Sequence, residues 1–275
     1  MTREEVGNLI DSGKCLGALG TPYDAAKLSL LNLQQIVLSF VDRAGLTDET
    51  QIEAVNALTL AAILHGWWGK CDLIYPFVGG TDTAHAQNLK SSSFTITWNG
   101  TVTHDANGIT GDGATGYGDT GYNPSSSGKV ALNSAHLGIY RRTTGSTVNR
   151  NYCGIQLGAD AFFLGVGSPL TNVNYRVNDG SFNAVTLTSL GWLAGARFDA
   201  ANKHLYQGGI DTSNANASTN VVSGSCLVLA RNSPAASFSD SNLAVMTVGS
   251  GITFSEYQLM ASDWQTFQTA LGRQV

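Results

Sequence analysis

After Pro76 the sequence is written in short phrases. Runs rich in Thr, Val, Tyr and Phe alternate with clusters of Gly, Asn, Asp and Ser, at a spacing of about 8–12 residues typical of sandwiches and jelly rolls. No segment with helical periodicity interrupts them, so a parallel sheet with crossover helices is excluded. Strand candidates are HLGIYRRT, NYCGIQLG, AFFLGVG, VNYRVND, SFNAVTL, GWLAGARFD, KHLYQGG, SCLVLARN and LAVMTVG. FTITW, Asn99-Gly100 and TVTH read as a tight hairpin, and Asp179-Gly180 as a second hairpin turn. Much of the 32-residue glycine content falls in such turns, where positive φ is required.

Before residue 70 the pattern is helical. Thr21-Pro22 starts a helix that runs to about Arg43 and stops at Gly45. Leu28, Leu31, Leu38 and Val41 lie on it together with Leu30, Leu33, Ile36 and Phe40, an apolar surface too wide for one neighbour to cover. A second helix begins after Thr47 or Asp48, turns Ile52, Val55, Leu58, Ala62 and Ile63 inward, and ends near Gly66. The short GLTDE link makes the pair an antiparallel hairpin. At the far end Ser262 or Asp263 caps a closing helix over 262–272, with Trp264, Phe267 and Leu271 on one face. The chain divides into a helical segment, 1–70, and a mainly β body, 71–275: an antiparallel jelly-roll sandwich with an N-terminal helical hairpin and a C-terminal helix.

Chemistry finds little purchase. Glycoside hydrolysis needs two carboxylates facing each other, and Glu256 is the one glutamate after residue 70. The aspartates of DANG, GDG, YGDT, NDG and FSDSN sit beside turn residues and read as turn formers. No G-x-S-x-G elbow, H-E-x-x-H motif or phosphate loop is present. His65 reads as a partner for the carbonyls ending its helix. His136 and His204, at strand starts, read as half-exposed. Arg141-Arg142 reads as a strand edge in water. HDANGITGDG offers Asp105, Asn107 and Asp112 as oxygen ligands for calcium, although the EF-hand order is not met. Tyr117, Asp119 and Tyr122 offer aromatic and polar groups for a glycan. The cysteines, Cys15, Cys71, Cys153 and Cys226, are scattered without a C-x-x-C pair and read as buried thiols.

A net charge of −5 with no basic stripe excludes a general nucleic-acid binder. No apolar run approaches the ~20 residues of a membrane span. The N-terminus, MTREEVGNLIDSGK, has no apolar core of a secretory signal. Charged residues are only 13% of the chain, which suits a protein that buries much of its surface in a core or against copies of itself.

WGKCDLIYPFVGGTDTAHAQNLK, followed by FTITWNGTVTHDANGITGDGATGYGDTGYNPS and closed by WQTFQTALGRQV, resembles a group of bacteriophage virion proteins with a concanavalin-A-like (LamG-like) jelly roll. The resemblance covers about residues 45–275 and leaves 1–44 outside. It implies a non-enzymatic structural role in capsid decoration, a head fibre or the tail. The protein would be made in the host cytoplasm and carried on the virion without a cofactor. Its expected partners are other virion proteins and copies of itself, with a trimer as first expectation. A lectin-like adhesin that contacts host glycans is the alternative. Within Asp72–Lys90, Leu73, Ile74, Tyr75, Phe77 and Val78 read as a buried strand and Gly79-Gly80 as a sharp turn. Asn88-Leu89 reads as a return to the sheet, and His85 as a loop residue bonding locally.

Overall fold

A computed structural model describes residues 34–231 and 235–275, and Ile36–Val275 form one compact unit. It begins with helix α1 (residues 34–44), which buries Val37, Phe40 and Ala44 at the three-to-four spacing of a single helical face. Gly45 takes φ +61° and ends it, as glycine readily does. Asp48 then accepts the Gln51 amide at 2.9 Å and caps α2 (Glu49–Leu64). Val55, Leu58 and Ala62 are buried on α2 as expected, but Ile63 points outward. Contacts continue across the 70/71 division: α2 packs on the last helix, and Gln51 Oε1 accepts the Gly79 amide at 2.8 Å.

A 3-10 turn (Trp67–Lys70) leads into β1 (Cys71–Tyr75), and a helical turn, α3 (Asp82–His85), follows. The strands continue as β2 (Thr97–Asn99), β3 (Val102–Asp105), β4 (Gly108–Gly111), β5 (Tyr117–Asp119), β6 (Ala135–Arg141), β7 (Arg150–Leu157) and β8 (Asp160–Val166). Then come β9 (Asn172–Asp179), β10 (Asn183–Thr186), β11 (Gly191–Arg197), β12 (Lys203–Gln207), β13 (Ile210–Asn214), β14 (Leu227–Val228), β15 (Asn242–Gly249) and helix α4 (Phe254–Ala270).

Two antiparallel sheets result. The eight-stranded sheet runs β13-β12-β11-β6-β15-β4-β3, with β1 also paired to β15; the seven-stranded sheet runs β10-β9-β8-β7-β14-β5-β2. Alternate side chains of both enter one core, among them Leu137, Ile139, Phe162, Leu164, Val177 and Met246, as face-to-face sheets require. The fold is thus the mainly β jelly-roll sandwich with terminal helices that the strand pattern implies.

Three local expectations need correction. The Asn99-Gly100 turn does not join a hairpin, because β2 pairs with β5 in one sheet while β3 pairs with β4 in the other. Gly100 has φ +63°, and a Cβ there would lie 2.2 Å from Thr115 O, so the turn chemistry is real but it serves a crossing between sheets. The tight hairpin is β3–β4, with Asp105 paired to Gly108 around Ala106-Asn107. Asp179-Gly180 lies within a wider loop, since the β9–β10 register pairs Tyr175 with Asn183. The closing helix starts earlier than 262: Thr253 caps α4 in a capping box with Glu256, and Ser262-Asp263 lies mid-helix.

Candidate functional site

The acids of the body were expected mainly in turns, and several are internal ties instead. Asp179, from the NDG turn, is fully buried with Lys203 Nζ at 2.8 Å and Arg197 Nη2 at 3.2 Å, both also fully buried. Arg197 further donates to Val177 O and Asn216 O, each at 2.8 Å. Lys203 donates to Ser181 O at 2.6 Å, and burial holds its pKa below the ordinary lysine range. Asp263 accepts Trp67 Nε1–H at 2.7 Å and faces His65 Nδ1 at 2.8 Å. His65 therefore joins α2 to α4 instead of binding its own helix end. Asp72 accepts Tyr122 Oη–H at 2.8 Å and the Lys129 amide at 2.6 Å.

The other histidines and the arginine pair also differ from the sequence reading. His136 is fully buried, with Nδ1 2.5 Å from Ser250 O and Nε2 3.3 Å from Thr247 Oγ1; burial lowers its pKa to about 4. His204 is buried beside Asp211 at 2.9 Å. His85 is buried on α3 and meets His104 Nδ1 at 3.1 Å, a long-range partner where a local one was expected. Arg141 is buried and donates to Tyr152 Oη and Ser189 O, while Arg142 donates to Arg273 O. The strands place these groups inside because cross-strand neighbours supply acceptors that no local pattern reveals. Within Asp72–Lys90, the strand stops at Tyr75, although Phe77 and Val78 are buried. Gly79 and Gly80 have φ +93° and +68°. Leu89 donates its amide to Ile74 O at 2.8 Å without forming a strand.

The calcium candidates do not converge. Asp105 Oδ1 accepts the Asn107 amide at one end of the β3–β4 hairpin. At the other end Asp112 accepts the amides of Ala114, Thr115 and Gly116 and the Thr115 hydroxyl. Three residue steps along β4 separate those ends by ~10 Å, whereas calcium ligands all lie within 2.6 Å of the ion by the general rule of about 2.3–2.6 Å. Among the described residues no group of three or more His, Cys, Asp or Glu side chains could hold a metal ion.

The glycan candidates are split. Tyr122 is buried under Phe94 and committed to Asp72, which removes it from any surface. Tyr117 and Asp119 are half-buried on β5, two residues apart and therefore on one face. Register defines that face: Thr97, Asp119, Leu227, Gly154, Phe163 and Arg176 are successive cross-strand partners from β2 to β9. The alternate residues Val228, Phe162, Leu164 and Val177 enter the core, so this row lies on the outer face of the seven-stranded sheet. The loop after β14 brings Arg231 to the Phe163 ring at 5.4 Å and Phe238 to Tyr117 at 5.9 Å. Asp119 accepts from the Gly121 amide and from Ser225 Oγ.

Of the assembly candidates, Leu28 and Leu31 lie outside the described residues. Leu38 and Val41 are half-buried, flanking the buried Val37–Phe40–Ala44 face. Among the described residues Leu60, Ile63 and Leu64 also lie exposed on α2, the last 73% exposed. Cys71, Cys153 and Cys226 are free and buried; Cys15 lies outside the described residues. No helix among the described residues is long and apolar enough to cross a membrane.

No protein-family model matches the chain, and no curated protein matches it. Among solved structures it is similar to domain 4 of AbnA, a GH43 extracellular arabinanase from Geobacillus stearothermophilus, in complex with arabinotriose. That likeness has 13% identity and a TM-score of 0.48, over 70% of this chain and 98% of that one. It is also similar to the botulinum neurotoxin serotype D binding domain, with 8% identity and a TM-score of 0.45, over 71% of this chain and 52% of that one. A third is Trypanosoma rangeli sialidase in complex with a difluoro-KDN ligand, with 11% identity and a TM-score of 0.39, over 79% of this chain and 39% of that one. The likeness is one of fold alone, and the chain spans about half or less of the neurotoxin and sialidase chains.

Proposed function

We propose that the protein is a non-catalytic structural component of a bacteriophage virion, acting by packing against copies of itself and other virion proteins. The observation that carries this reading is the use made of its reactive groups. Asp179, Asp263, Asp72 and His136 each tie segments distant in sequence, by bonds within the chain. Such groups stabilise a body that presents surfaces. The motifs of Asp72–Lys90 and the closing helix support the virion assignment through the resemblance they carry. The α2 stripe of Leu60, Ile63 and Leu64 supports self-association, since grouped exposed leucines favour a covering surface. Mass spectrometry of gradient-purified phage particles tests the role: the protein is expected as an abundant component, and its absence refutes the reading. Light scattering on the wild type and Leu64→Glu tests assembly, with an oligomer expected that weakens in the variant.

A second reading, a lectin-like surface on the same virion, is favoured by the outer face of the seven-stranded sheet. There Tyr117 and Asp119 share a row-and-column surface with aromatic and guanidinium groups. A glycan array with full-length protein tests it, and retention of no glycan at high protein concentration refutes it.

A further inference from the structure

Two arginines on that outer face have no ion-pair partner among the described residues. The Arg176 guanidinium lies 6.0 Å from the Phe163 ring centre and 5.8 Å from that of Phe182, and the Arg231 guanidinium lies 5.4 Å from the same Phe163 ring. Neither forms an ion pair among the described residues. Arg176 Nη1 donates to Ala159 O at 3.0 Å, but its Nε is buried without a partner. Burial, and then the Arg176 charge, hold Arg231 below the ordinary arginine range. Like charges gathered on one ring destabilise the isolated protein unless something negative joins them.

The surroundings describe what would join them. Phe182, at the edge of the cluster, is 53% exposed, so a flat apolar face stands open beside a guanidinium. Gly154 and Gly165 line the floor on either side of Phe163 in the register. A Cβ at Gly154 would sit 2.2 Å from Phe162 O, and one at Gly165 2.4 Å from Arg150 O, so the backbones of the paired strands require glycine at both positions. Asn151 and Asn174 flank Gly165 across the strands, and Asn151 Nδ2 is buried without a partner. Guanidinium forks match planar carboxylates, and aromatic faces stack on apolar ring faces. Asp119 lies on the same row but four strands away, ~19 Å at the usual strand spacing, too far to neutralise the pair. The chain's net charge of −5 repels a long polyanion while leaving this local positive site intact.

We propose that Arg176, Arg231 and Phe182 form a binding site for an acidic sugar residue of a glycan, the arginines taking its carboxylate and Phe182 its ring. The site rests on the glycan-contact reading, and is independent of the virion role. It places recognition at the β8–β9 end of the outer face, away from Tyr117 and Asp119.

The test titrates full-length protein calorimetrically with a glucuronate-containing tetrasaccharide, with neutral chitotetraose, and with a short thymidine oligonucleotide. The glucuronate probe is expected to bind at least about tenfold tighter than the neutral one, as one charge-assisted pair implies, and to weaken with added salt. Arg176→Gln and Arg231→Gln are each expected to weaken it at least about tenfold. Arg231→Gln should melt at or above the wild-type temperature, because it relieves repulsion. Phe182→Ala, at an exposed position, gives a second readout that does not depend on the arginine variants folding: about fivefold weaker binding is expected from the lost ring contact. Binding of the glucuronate probe no tighter than chitotetraose, or unchanged in the variants, overturns the site while leaving a neutral-glycan reading standing. Equal binding of the oligonucleotide overturns the saccharide assignment. Binding of none of the probes overturns the site and counts against the glycan reading as well.

Discussion

Asp179→Asn removes one negative charge from a fully buried group of one anion and two cations while keeping its volume. In the wild type one carboxylate oxygen takes Lys203 Nζ and the Ser181 amide, and the other takes Arg197 Nη2. An asparagine oxygen can serve the first pair, but its NH2 then faces the guanidinium, donor against donor. Arg197 keeps carbonyl acceptors at Val177 and Asn216, and Lys203 keeps Ser181 O, so both cations stay anchored, but the Arg197 Nη2 hydrogen and the Val177 amide that met the second oxygen lose that acceptor along with the charge. Breaking a buried ion pair from one side costs about 3–5 kcal/mol. With a urea slope of about 3 kcal/mol per M for a unit of this size, the unfolding midpoint falls by about 1–1.7 M. Burial already holds Lys203 below the ordinary lysine range, and loss of the carboxylate lowers it further. Between that folded value and the higher unfolded value the unfolded chain binds more protons, so stability rises with pH there and the deficit of the variant shrinks. Asp179→Asn combined with Lys203→Met is expected to recover about 1–2 kcal/mol of the loss. Urea unfolding followed by tryptophan fluorescence reads all three proteins. A midpoint shift under about 0.3 M for Asp179→Asn would show that backbone carbonyls alone hold the two cations, and the charge argument would be wrong.

Three other outcomes follow from the same contacts. Burial lowers His136 to about 4 against an unfolded value near 6.5; as pH falls the unfolded chain takes the proton first, so its contribution of about 3 kcal/mol is present above pH ~6.5 and lost progressively down to ~4. His136→Gln should flatten the stability profile in that window, and an unchanged slope would assign the acid sensitivity elsewhere. Thr253→Ala removes the hydroxyl that accepts the Glu256 amide at the start of α4 while leaving the residue-253 amide bonded to the Glu256 carboxylate, and is expected to cost about 1 kcal/mol, with Thr253→Ser nearly neutral, as read by chemical denaturation. Cys71, Cys153 and Cys226 are fully buried, and burial pushes Cys71 and Cys226 up to about 12; a thiol reagent with peptide mapping should label these three only after unfolding, and labelling of the native protein would contradict their burial.

The strands, the second helix and its cap, offered as Thr47 or Asp48, were legible because their causes are local, whereas the start of the first helix at Thr21-Pro22 lies outside the described residues. Alternation sets which residues face one way, glycine supplies positive φ, and an aspartate oxygen reaches an amide three residues on. Asn99-Gly100 shows the limit of that logic, since Gly100 adopts its turn conformation while the strands on either side join different sheets. Local chemistry can require a turn, but pairing energy across the chain decides what the turn connects. The start of α4 was missed for a different reason: Thr253 and Glu256 form a readable capping box, but Ser262-Asp263 offered a competing cap closer to the apolar face. The site residues divide along the same line. Asp179, His136 and Asp263 could be seen only as turn, strand or cap residues, because their partners lie 18 or more positions away in Arg197, Ser250 and Trp67. Arg176 and Arg231 are unremarkable in sequence, and they meet only because β8, β9 and the loop after β14 bring them to one ring. Sequence alone determined the layered β body and its helical ends, where each residue answers to its neighbours in the chain. Tertiary structure alone decided which charges are buried in ion pairs and which, like Arg176 and Arg231, are half-buried without an ion-pair partner among the described residues, because that depends on which distant strands share a face.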